Sequence, residues 1–193
     1  MDVMLPYTLK NMSKVIKELI IEQGLVQLNG ETFFKGDTNE TVTFLKSLYK
    51  HIGLKYGKFF KMDSLCKLGF LATEILLDGV EDIKTETDEV ALVFANASSS
   101  LNTDVNYQNS IAEIPSPAVF VYTLPNIVIG EISIRHKFYG EHMFFIQEKY
   151  NKEELLKYTD SLFAETQTKF AVVGWLEMGM NNEYSAQLML CSK

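Results

Sequence analysis

Nearly every residue type that marks a specialised protein class is scarce in this 193-residue chain. Four prolines and eleven glycines exclude a disordered or fibrous polymer, which needs far more of both. Two cysteines, Cys66 and Cys191, cannot build a disulfide framework and fit a reducing compartment. Three histidines, His51, His136 and His142, make a dedicated zinc cluster an unfavoured reading. His136 and His142 flank a glycine-containing turn and read as a surface pair. No phosphate-cradling G-x-x-x-x-G-K-[ST] or G-x-G-x-x-G occurs, and no C-x-x-C, H-E-x-x-H or G-x-S-x-G. The longest apolar stretch, Ala118–Gly130, is interrupted by Pro125 and is too short to span a bilayer. The opening residues lack the basic-then-apolar pattern of an export signal. A cytoplasmic, soluble protein without a metal or cofactor is the expectation.

Basic runs are also missing. The formal net charge is −7, so nucleic acid is not an expected partner. The charge is uneven, because residues 1–73 hold ten lysines against seven acids, whereas Glu74–Glu89 alone holds seven acids. Asp78–Glu89 within it reads as a solvated loop or, on the alternative reading, as a surface that steers partners.

What is present is an ordinary core-forming mix, 47% hydrophobic and 12% aromatic, sized for one large domain or two small ones. Val15, Ile16, Leu19 and Ile20 predict a short helix over Met12–Gln23. Asn29-Gly30 between Leu25–Leu28 and Thr32–Phe34 predicts a hairpin, since both residues tolerate positive φ. Asp37 or Thr38 would cap a helix running to about Ile52, and Asp63 or Ser64 one running to Leu77. In the second, the small Gly69 and Ala72 suit close packing on a neighbouring backbone. Val90–Ala95 predicts a buried strand ending in the polar turn Asn96–Ser100. Pro115–Ile134 reads as irregular to helical, broken by Pro117, Pro125 and Gly130. Met143–Ile146 reads as a short strand, Lys152–Thr166 as a charged amphipathic helix, and Lys169–Met178 and Tyr184–Cys191 as closing strands. Helices alternating with buried strands indicate one layered α/β domain, residues 1–193.

The chemistry is sparse. Cys66 reads as a buried small hydrophobe, and Cys191 lies too near the chain end to hold a reactive geometry. Ser98–Ser100 read as turn and helix-start residues, and Glu153-Glu154 as a water-facing pair.

Four segments in order carry a family resemblance. Phe59-Phe60-Lys61-Met62-Asp63-Ser64-Leu65 running into Leu68–Leu77 resembles the R-M-D-R entry to a long helix. Val90–Ala95 with its small polar turn resembles a V-x-x-G-S-G strand and turn. Ser116-Pro117, Asn126, Gly130, Ser133-Ile134 and Gly140 resemble the approach to a nucleophile. Phe170–Gly174 resembles a D-x-A-L-A-G-G strand. Together, over roughly Lys58 to Met178, the chain resembles the amino-terminal half of a β-ketoacyl synthase, the condensing branch of the thiolase-like fold.

That resemblance implies a thiolase-like half, a layered α/β/α arrangement on a mixed central sheet. Condensing enzymes attack a thioester with a cysteine at a helix start. The matching position falls near Gln147, Glu148 and Lys149, where there is no cysteine, and Gln147 echoes the glutamine of some chain-length-factor subunits. The two family histidines belong to a carboxy-terminal half beyond this stretch. A noncatalytic relative follows, a partner or pocket-forming subunit in fatty-acid, polyketide or polyene assembly. It would dimerise through Met143, Phe144, Phe145 and Ile146, with a second copy or with a ketosynthase. Acyl carrier protein is a further implied contact, docking on Lys55 and Lys58 in the lysine-rich first third with Lys46, Lys50 and Lys61. Two alternatives stay open. One is a condensing enzyme or acyltransferase completed by a second chain. The other is a stand-alone acyl-binding domain lined by Phe120, Tyr122, Phe144 and Phe145.

Overall fold

A computed structural model describes residues 13–36, 40–111, 114–181 and 183–193. Their strands form one seven-stranded sheet in the order β3-β2-β1-β7-β6-β4-β5. The strands are β1 (Lys14–Glu22), β2 (Leu25–Leu28), β3 (Glu31–Lys35), β4 (Val90–Asn96), β5 (His142–Ile146), β6 (Phe170–Met178) and β7 (Tyr184–Ser192). The sheet is mixed: β5, β4 and β6 run parallel, and each later neighbour is antiparallel.

Three longer helices cover one face: α1 (Thr41–His51), α2 (Ser64–Leu77) and α6 (Ile127–His136). The other face carries α7 (Lys152–Glu165). Short α3 (Asp82–Thr85), α4 (Leu101–Ile111) and short α5 (Pro117–Phe120) fill the connections. This distribution follows from handedness. Right-handed crossovers from β4 outward to β5, then back past β4 to β6, must place their helices on opposite faces. The pleat of β4 divides accordingly, with Val90, Leu92 and Phe94 facing α2 and α6, and Ala91, Val93 and Ala95 facing α7.

The predicted hairpin is β2–β3, with Asn29 at φ 53° and Gly30 at φ 82°. Asp63 caps α2 by accepting the Cys66 N–H at 2.9 Å. The expected caps Asp37 and Thr38 lie outside the described residues, and Glu40 precedes α1 without a side-chain cap. Met12–Gln23 is the main reversal, because the predicted helix is strand β1. Its burial alternates, with Leu19 and Ile21 buried while Glu18, Ile20 and Glu22 face outward. A β-branched segment with β2 and β7 available on its two sides gains more as a strand than as an isolated helix. Gly130 does not break α6 but lies within it, with open space around the position of a Cβ. The small Gly69 meets side chains rather than backbone, namely Val128 and Leu176.

Helices α2 and α6 are stapled by Glu74, whose Oε1 accepts from Arg135 Nε at 2.8 Å and lies 3.2 Å from His136 Nε2. Burial alone would raise this carboxyl, but hydrogen bonds from His136 and Arg135, with their charge, hold it below its ordinary value. A depressed carboxyl contributes stability above its unfolded-state value and loses it as pH falls through the lower native one. Glu74→Gln is therefore expected to lower stability at pH 7 and flatten its fall below about pH 4.5. Urea titrations from pH 7 to pH 3 check this, and parallel curves for wild type and variant would refute it.

Candidate functional site

In open α/β sheets, ligands sit at the carboxyl ends of parallel strands, where successive connections leave for opposite faces. Here that point lies between β4, which feeds α4 and α6, and β5, which feeds α7. Its floor is a set of turn hydrogen bonds. Asn96, fully buried, accepts the Gln147 N–H on its carbonyl at 2.9 Å. Its side-chain amide ties down Ser99 twice, accepting from Ser99 N and donating to Ser99 O, both at 2.9 Å. Ser99 takes φ 51°, the left-handed conformation that such a turn needs. The next two backbone donors, Ala97 N and Ser98 N, point at the Glu177 carboxylate at 2.8 and 3.3 Å. Paired N–H groups of this kind form an anion cradle, and Glu177 of β6 occupies it.

No nucleophile stands on that floor. The Ser100 hydroxyl lies 2.9 Å from Thr123 O and 3.1 Å from both Asp104 oxygens, with no histidine among its partners. Ser98–Ser100 thus serve as turn and helix start. Gln147, Glu148 and Lys149 lie in the loop between β5 and α7. The start of α7 belongs to Asn151, whose side chain accepts the Glu154 N–H at 3.2 Å. The Gln147 Oε1 is buried without a hydrogen-bond partner.

Both thiols are buried. Cys66 occupies the first turn of α2, where a helix dipole would favour a thiolate. Burial, reinforced by the Asp63 carboxylate that caps the same turn, instead pushes it well above its ordinary value. Burial raises Cys191 to about 12. Among the described residues no group of three or more His, Cys, Asp or Glu could hold a metal ion.

Among the described residues strand β5 is one edge of the sheet and pairs with β4 alone. Met143, Phe144 and Phe145 are half-buried, while Ile146 is 55% exposed. Beside it runs a groove of about 460 Å³ lined by Ile127, Ile129, Gly130, Met143, Phe144 and Ile146, among others. The suggested acyl-pocket aromatics do not converge. Phe144 packs on the α2–α6 side and Phe145 on the α7 side, Phe120 is 57% exposed, and the Tyr122 hydroxyl donates to Glu131 at 3.1 Å.

The two docking lysines also separate. Lys55 is exposed, but Lys58 Nζ lies 2.8 Å from Glu131 Oε2, on a carboxylate that is almost wholly buried. Lys58 is therefore the countercharge of a core acid. Lys58→Glu is expected to cost about 1–3 kcal/mol, because it leaves that acid unpaired beside a second one. Lys55→Glu should stay within about 0.5 kcal/mol of wild type. Equal denaturation midpoints for the two variants would refute the assignment. The sequence reading missed Glu131 and Glu177, although each is a lone acid inside an apolar run, which was the available signal.

No family model and no curated sequence matches the chain. Its fold matches solved structures. The ishigamide ketosynthase/chain length factor superposes with TM-score 0.64 at 14% identity, covering 94% of this chain and 62% of that one. A ketosynthase in complex with its chain length factor from Xenorhabdus doucetiae gives TM-score 0.60 at 12% identity, covering 94% and 79%. A type II PKS acyl-carrier protein in complex with its ketosynthase bound to the hexaketide gives 0.62 at 13%, covering 94% and 62%. The chain thus spans under two thirds of the first and third of these structures. Its fold is the thiolase-like fold of the ketosynthase and chain-length-factor proteins. No helix among the described residues is long and apolar enough to cross a membrane.

Proposed function

We propose that this chain is a noncatalytic, ketosynthase-like subunit that pairs with a ketosynthase in polyketide, polyene or fatty-acid assembly. The observation that carries this reading is the floor at the ends of β4 and β5. The resemblance would put the condensing thiolate near Gln147, and the floor there offers an Asn-capped helix start and an anion cradle already filled by Glu177. A carboxamide does not replace a thiolate as acyl acceptor, and the Glu177 carboxylate is already engaged by Ala97 N and Ser98 N. Both of its own thiols lie in the core.

The partner's approach follows from the two surfaces beside that floor. Over α7 it would have to bury Lys152, Glu153, Glu154, Lys157 and Glu165, all exposed charges. Across β5 it meets an uncharged strand with free backbone donors and acceptors, and pairing there removes an exposed edge. An antiparallel pair centred on Phe144 would set His142 against Ile146 of the other strand and oppose no like charges.

A tagged pull-down from the native cell, read by mass spectrometry, tests the proposal. Recovery of a ketosynthase is expected. Recovery of this chain alone would overturn the subunit role.

A further inference from the structure

We propose that the cavity between the ends of α2 and α6 binds an apolar α-amino acid, its carboxylate on Arg135 and its ammonium on Asp78. The cavity measures about 370 Å³ and takes its lining from the last turn of each helix, the turn after α2, and α3. Its described lining lies outside β5 and the Asn96 floor, so the inference does not depend on pairing with a ketosynthase.

Arg135 is oriented before any ligand arrives. Its Nε donates to Glu74 Oε1 at 2.8 Å, and its guanidinium carbon lies 5.1 Å from the centre of the Tyr56 ring. Tyr56 is itself stacked on Phe70 at 5.3 Å, so the guanidinium rests on a fixed surface. Its two terminal nitrogens have no partner among the described residues. Such a fork matches a carboxylate through two parallel hydrogen bonds. Asp78 supplies the opposite pole. It is exposed, and its carboxylate has no partner among the described residues, since Lys17 Nζ donates to its backbone carbonyl instead. Residues four apart on a helix, as Glu74 and Asp78 are, lie roughly 5–6 Å from each other. The two poles of one α-amino acid, with a hydrogen bond at each end, bridge such a gap.

The charges and the walls select the ligand. In the lining, Lys84 and Arg135 formally cancel Glu74 and Asp78. A ligand of either sign would leave one charge unbalanced there, whereas a zwitterion leaves none. Lys84 already pairs with Glu81 at 2.7 Å, which leaves Arg135 to receive the carboxylate. Leu77, Val80, Ile83 and Phe138 form the apolar part of the lining. Those walls suit a branched aliphatic side chain, and leucine is the natural probe.

The test is calorimetric titration of the full chain with leucine, 4-methylpentanoate and 3-methylbutylamine. The last two are leucine without its ammonium and leucine without its carboxylate. Saturable binding of leucine is expected, with each fragment about tenfold weaker or worse. Asp78→Asn should weaken leucine about tenfold but 4-methylpentanoate less than about twofold. Arg135→Lys keeps a charge beside Glu74 and loses the fork, so it should weaken both about tenfold. Lys157→Gln on α7 should change neither by more than about twofold. Asp78 is exposed, so its variant stays folded and decides the matter if thermal melting shows the Arg135 variant to be unfolded. No saturable leucine binding, fragments that bind as tightly as leucine, or indifference to Asp78→Asn would each overturn the inference.

Discussion

Ile146→Asp is expected to leave the chain folded while weakening its pairing with a partner chain about 100-fold. Ile146 ends β5 and is 55% exposed, so a carboxylate there disturbs little of the chain's own packing. Its effect falls on what the strand can join. An edge strand with free N–H and C=O groups invites another strand, and one charge on that edge is the usual means of forbidding it. In the paired arrangement the carboxylate would lie opposite His142 of the other strand, an imidazole that burial already pushes towards its neutral form, so the charge would go unbalanced. A 100-fold loss corresponds to about 2.8 kcal/mol, a modest share of the cost of burying an unpaired charge. Sedimentation or native mass spectrometry of the purified complex gives the readout, with thermal melting as the control for folding. A complex that survives the substitution with unchanged affinity would remove β5 from the interface.

The parts of the fold legible in the sequence were those whose cause is local. Asn29-Gly30 needed no partner to announce a hairpin, and Asp63 announced the start of α2 by its capping chemistry alone. Strand β1 was illegible for the opposite reason. Val15, Ile16, Leu19 and Ile20 fit a helical stripe as well as a strand, and only the neighbours β2 and β7 decide between them. Helix α4 was missed because Leu101–Ile111 is polar and rich in weak helix formers, with Thr103 as its buried residue. The site divides in the same way. The lack of a thiol near Gln147 could be read directly. The filled cradle could not, since Ala97 and Ser98 meet Glu177 across some eighty residues of chain. Lys58 shows the same limit, because nothing local distinguishes it from Lys55 until Glu131 is brought beneath it.

The largest loss of stability is expected from Gly174→Ala, and the reason connects the sheet to the site. Gly174 lies mid-way along β6, opposite Phe94 of β4 on one side and Leu188 of β7 on the other. Its φ is 152°, which L side chains rarely adopt. An added Cβ would drive into the Gln187 carbonyl oxygen and lie 2.9 Å from Leu188 Cα. Those atoms are backbone of a paired strand, so relief requires β7 to move away from β6. The expected cost is at least about 3 kcal/mol, or a melting point lower by roughly 6–12 °C for a chain of this size. Gly79→Ala provides the contrast. It also replaces a positive-φ glycine, at 74°, but one with open space around it, so about 1 kcal/mol is expected. Equal melting points for the two variants would refute the steric argument. Because Glu177 lies three residues along the same strand, the Gly174 variant should also loosen the Ala97–Ser98 turn. Amide exchange there should then quicken more than in the β2–β3 hairpin. Acceleration of equal size at both places would mean that the damage is global rather than transmitted along β6.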